Sequence, residues 1–150
     1  METTTKETTI IGNRAVIAFQ EETWTTVQPD TVGIYLHWNG GPDSVTAFLD
    51  AAKELGVRPD DYGIARLCQI IGNWFGGTLS LGIGPCGKLD TDNGDNGTYV
   101  VDLKNHGWKI VKTFHREDWY GDMAAHRSAG ILAEVLEVNR PIFQPEKVSA

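Results

Sequence analysis

The residues of this chain best equipped for chemistry are aromatic, cationic and amide-bearing, and they cluster in three places. Trp74-Phe75, flanked by Asn73 and two glycines, falls where a helix is expected to meet a strand. A ring at such a junction either stacks on a flat base or plugs the core. Arg66 lies among Ile64, Leu67 and Cys68, and Arg116 follows the run WKIVKTF directly. A guanidinium beside apolar surface calls for an anion, which here is either an acidic side chain or a bound phosphate. The run Asp90-Thr-Asp92-Asn93-Gly94-Asp95-Asn96-Gly97 is either an acidic turn or a ligand loop. Side chains such as Asp92, Asn93, Asp95 and Asn96, held by glycine turns, suit hydroxyl groups like those of ribose. His37 is a further candidate, as a polar contact or as an acid–base group.

Several motifs fail on inspection. Gly82-Ile-Gly84-Pro85-Cys86-Gly87 matches GxGxxG after a strand-like run, but Pro85 and then KLDTDNGDNG follow where a dinucleotide site needs a helix to open. Counted from Asp90, a calcium loop would place Gly94 at its fifth position and Val101 at its twelfth, so the ligand pattern breaks. The four histidines show no zinc spacing, no GxSxG elbow occurs, and Cys68 falls on the inner face of a helix, where a thiol is inert. The sequence calls for no cofactor and no metal. A Cys–His or Asp–His pair that meets only in the fold stays open.

These residues need elements to carry them. Asn13–Gln20 reads as a first strand, and Thr31–Trp38 alternates Val32, Ile34, Leu36 and Trp38 against Gly33, Tyr35 and His37 as a second, half-buried one. A helix capped by Asp43 or Ser44 runs to Gly56, and another starts near Asp60 or Asp61 and ends at Asn73–Gly77. Thr78–Ile83 reads as a third strand. Tyr99–Leu103 and Trp108–Phe114 read as a hairpin turning at Lys104–Gly107, and Asp118–Asn139 as a long helix with Met123, Ile131, Leu132, Val135 and Leu136 inward. Of the five tryptophans, Trp38 and Trp108 are expected in the core; Trp24, Trp74 and Trp119 fall in loops or at element ends. The order ββααβββα predicts an α+β domain, an antiparallel sheet of about five strands with helices on one face. Residues 1–12 read as a flexible lead-in, 13–140 as a single domain and 141–150 as a tail.

Bulk properties narrow the partners. With 150 residues, 41% apolar and 22% charged, the chain suits one globular domain. It holds no run of the roughly 18 apolar residues a membrane span needs, and no secretory leader, so a cytoplasmic location with reduced thiols is expected. The net charge of −7 argues against DNA and anionic membranes as partners. A small anionic ligand needs only one or two well-placed arginines.

The strings GIYLHWNGGPDSVTAFLDAAKELG, DYGIARLCQIIGNWFGG, LDTDNGDNGTYVV and WKIV occur in this order between about Arg14 and Phe114. Together they resemble the phage anti-Thoeris sponges of the Tad-one type. The resemblance implies a binding protein that sequesters cyclic ADP-ribose isomers made by bacterial TIR-domain proteins and keeps them intact. It implies homo-oligomers with ligand pockets at subunit interfaces, and in some members a separate site for cyclic oligonucleotides. The C-terminal helix and tail lie outside these strings. Two other functions remain open on the residues: an enzyme acting on a nucleotide-like substrate through His37 or His115 with a nearby acid, and an acidic inhibitor that binds a host defence protein.

Overall fold

The computed structural model describes residues 13–76, 80–114 and 122–142, with side chains from Arg127 onward in the last segment. Residues 1–12, Trp119, His115 and the start of the expected C-terminal helix therefore lie outside the described residues, as does the tail beyond 142. The chain forms β1 (Ala15–Phe19), β2 (Val32–Leu36), α1 (Pro42–Glu54), α2 (Asp61–Phe75), β3 (Leu81–Pro85), β4 (Thr98–Val101), α3 (Leu103–His106), β5 (Ile110–Phe114) and α4 (Asp122–Asn139). The fold is α+β, with one five-stranded sheet in the order β3-β2-β1-β4-β5.

β1 is central, and its sequence AVIAF shows it: Ala15 to Ala18 are all buried, with no polar residue between them. Such unbroken apolar runs belong to strands covered on both faces. Ala15 and Ile17 join Ile34, Leu36, Tyr99 and Val101 against the helices, where Phe48, Leu67, Ile70 and Ile71 complete the main core. Each large side chain buried there contributes about 1.5–3 kcal/mol. Val16 and Ala18 point the other way, into a smaller cluster with Cys86 that Val27, Tyr35 and Leu89 cover. The face of β2 expected to be open to water is thus roofed.

That roof explains the one correction to the sheet. It is mixed: β1 pairs β2 antiparallel but β4 parallel, through Val16↔Thr98 and Phe19↔Val101. β3 and β4 run in the same direction, so the segment Cys86–Gly97 must cross over β2 and β1 instead of turning back. A parallel seam needs a crossover of about a dozen residues, and this loop supplies it. The same geometry settles the GxGxxG match. Gly82 and Gly84 lie within β3, and Gly87 sits in a 3-10 turn, Cys86–Lys88, with no α-helix opening after it.

The helices follow their patterns. α1 starts two or three residues earlier than expected, with Pro42 in its first turn and Gly41 at the cap. Asp43 Oδ1 instead accepts from Ser44 N–H at 2.7 Å, inside that first turn. Asp60 caps α2 by accepting from Gly63 N–H at 3.1 Å, and Gly76, at φ +72°, ends it in the left-handed conformation that glycine adopts without strain. α4 packs mainly along α1, with Val135 and Leu136 buried. Its last residue, Asn139, locks it to α2: the amide donates to Ile70 O and Val135 O at 3.1 and 2.9 Å and accepts from Asn73 at 2.9 Å. β4 and β5 form the expected hairpin (Thr98↔Phe114), its connection tightened into α3 by Asp102, which accepts from Asn105 N–H.

Candidate functional site

The strand registers bring five chain segments to one end of the sheet. Leu81, Leu36, Ala15–Val16, Thr98 and Phe114 lie side by side, so the residues just beyond them are neighbours. α2 also ends here. A cleft of about 450 Å³ opens between Trp38 and Asn39 after β2, Trp74 and Phe75 in the last turn of α2, and Ser80 before β3. The Trp74 ring stands edge-on to Phe48, with centroids 5.6 Å apart, and Phe75 meets the same ring at 6.2 Å. One edge of each ring is therefore anchored in the core while the pair faces the cleft. Trp38, expected in the core, is instead 43% exposed. It lies past the end of β2, where the chain swings away through Asn39 (φ 58°) and Gly40, whose carbonyl the buried Tyr99 hydroxyl holds at 2.8 Å. Trp108, by contrast, is buried as expected, donating its indole N–H to Val57 O at 2.9 Å.

A polar cluster adjoins the cleft. The His37 ring lies edge-on to Trp38, at 4.9 Å, and its Nδ1 is 2.9 Å from the Tyr35 hydroxyl. Burial pushes the Tyr35 phenol above its ordinary value. Arg14, opening β1, gives its Nε to Asp95 at 2.7 Å and reaches Asp90 at 3.3 Å. Asp95 also accepts from Arg14 N–H at 3.0 Å, and these Arg14 bonds hold its carboxyl below the usual range against the pull of burial. Nothing in the sequence marks Asn39 or Ser80 as cleft residues; Ser80 meets β2 only through the β2–β3 register, where its carbonyl accepts from His37 N–H at 3.0 Å.

The structure does not bring all the sequence candidates to the cleft. Arg66 is half-buried on α2, eight residues before Trp74 and so about 12 Å along the helix axis. Asn73 is committed to Asn139. In the Asp90–Gly97 loop the amides close the loop itself. Asn93, 4% exposed, donates to Asp90 O and Gly97 O and accepts from the N–H groups of Asp95, Asn96 and Gly97. Asn96 donates to Asn13 and to Arg14 O, binding the loop to β1. Asp92 is exposed, and Arg116 lies outside the described residues. This loop acts as a clamp on the parallel seam, where the sequence left a ligand loop open.

Comparison of the chain with protein families, curated proteins and solved structures finds no match. Aromatic walls with an amide and a hydroxyl at the rim suit a flat ring with polar substituents. The thiols add no nucleophile: desolvation pushes both Cys68 and Cys86 up to about 11. Among the described residues no group of side chains could hold a metal ion, and no helix is long and apolar enough to cross a membrane.

Two carboxyls, one in the clamp and one at the start of α3, give the fold a pH signature. Burial would raise the Asp102 carboxyl, yet hydrogen bonds from Asn105 and from Glu22 N–H hold it below the usual range, as the Arg14 bonds do for Asp95. Carboxyls depressed in the folded state stabilise it fully above their unfolded values, near pH 4, and that contribution is lost as the pH falls through the folded ones. The melting temperature is therefore expected to fall steeply between about pH 5 and pH 3. In the doubly substituted Asp95→Asn, Asp102→Asn protein it starts lower and the slope flattens. An unchanged slope in that variant contradicts the assignment.

Proposed function

We propose that this chain is a binding protein that holds a cyclic ADP-ribose isomer intact in the Trp38–Trp74–Phe75 cleft, and by sequestering it blocks TIR-based anti-phage immunity in the bacterial cytoplasm. The carrying observation is the cleft itself: two aromatic side chains anchored in the core and a third, exposed indole at the convergent end of five segments. An adenine ring stacks on such walls with about 1–3 kcal/mol per base. The resemblance to the Tad-one sponges supports the choice of ligand.

The cleft is shallow on one chain, with Trp38 exposed beside edge strand β3 and its exposed Ile83. On this reading the protein is a homo-oligomer, and a second copy seated on these side chains would close the cleft. Arg14, in the polar cluster beside the cleft, is already held by Asp95 and Asp90. Cyclic oligonucleotides are candidates for a second, separate ligand.

The test is chemical recovery. Protein mixed with a slight excess of a cyclic ADP-ribose isomer, stripped of free ligand and then heated, should release the isomer unchanged. Recovery of a linear or hydrolysed product instead establishes catalysis and overturns the reading.

A further inference from the structure

At the opposite end of the sheet, where Phe19 pairs with Val101 and Val32 with Pro85, lies a second cavity of about 500 Å³. Its floor is apolar, formed by Phe19, Val32, Ile64 and Leu103, and its size is that of small-molecule pockets. The walls are held rigidly. Trp108 fixes Val57 O, Asp60 caps α2, and Asp102 ties Glu22 N–H to the start of α3. Gly63 lets the Arg58 carbonyl press on the first turn of α2, since any Cβ there would overlap it. The cavity is thus formed before any ligand arrives, which lowers the cost of binding.

The rim carries charged groups of both signs with unused capacity. Arg58 gives only its Nε, to Asp60 at 2.6 Å, and its guanidinium lies 4.7 Å over the ring of Tyr62. Its two Nη groups have no partner among the described residues, and neither has Lys104. The plane of the guanidinium is thereby set in advance for a carboxylate. Asp61, in the first turn of α2, and Glu21, after β1, also line the cavity, and neither forms an ion pair among the described residues. A purely anionic ligand would be repelled by Asp61, Asp102 and Glu21, and a purely cationic one by Arg58 and Lys104. We infer that this cavity binds a zwitterion with an apolar body, a free amino acid of the leucine or phenylalanine kind. Its carboxylate meets Arg58 and Lys104, its ammonium Asp61 and Glu21, and its side chain the apolar floor.

Titration of methyl-labelled protein with L-leucine and L-phenylalanine, followed by NMR, tests this. The expected result is saturable shifts of the Ile64 and Leu103 methyls. Isoamylamine, which lacks the carboxylate, and 4-methylvalerate, which lacks the ammonium, should bind at least tenfold more weakly. Arg58→Gln and Asp61→Asn, both on exposed side chains, should each weaken leucine binding about tenfold with an unchanged melting temperature. No saturable shift up to about 10 mM, equal binding of either truncated analogue, or unchanged affinity in both variants overturns the inference.

Discussion

If the proposed function holds, Trp38→Ala is expected to fold like the parent and to bind a cyclic ADP-ribose isomer about 30-fold more weakly. The indole stands past the end of β2, 43% exposed, so its removal opens no cavity in the core. What is lost is one wall of the cleft, and stacking on a base contributes about 1–3 kcal/mol. Trp74→Ala should weaken binding as well, but it also strips the contact with Phe48 and lowers stability, so its effect is mixed. Calorimetric titration with a cyclic ADP-ribose isomer, alongside thermal melting, separates the two. Parent-like affinity in a well-folded Trp38→Ala protein would place the ligand elsewhere.

Asn93→Ala is expected to be the most damaging change in the loop, costing about 3 kcal/mol, or about 10 °C in melting temperature. Its buried amide makes hydrogen bonds with five backbone groups, and alanine leaves those groups without their partner as the crossover tightens onto β1. Asp92→Ala, on an exposed neighbour, should cost distinctly less stability than Asn93→Ala. The pair distinguishes a clamp from a ligand loop. If the loop existed to grip ligand, Asn93→Ala would spare the melting temperature of the free protein and lower affinity alone.

Much of the fold is legible in local pattern. The alternation of Val32, Ile34 and Leu36, the 3.6-residue spacing from Val45 to Ala52, and Asp60 before Ile64 each encode an element directly. The parallel seam is not encoded that way. Its trace is the unbroken run Ala15–Ala18, which shows that both faces are covered without saying by what. Trp74 and Phe75 were recognisable as a junction pair because composition and position both marked them. Trp38 was not, because period-two alternation assigns it to the buried face, and only the end of β2 at Leu36 releases it. Asn93 and Asn96 illustrate the converse. Amides in a glycine-rich turn suit a ribose and a neighbouring backbone equally well, and the choice depends on where β1 lies. Arg14 and the Arg58–Tyr62 rim arise from tertiary contact alone.

Native mass spectrometry of the protein with and without cyclic ADP-ribose isomers addresses the sequestration claim most directly. The expected spectrum shows a homo-oligomer that gains the full, unaltered mass of the isomer at fixed stoichiometry per subunit, and loses it when Trp38 is replaced. A spectrum in which the protein gains no isomer mass at saturating ligand, or in which the isomer appears as a cleaved product, contradicts it.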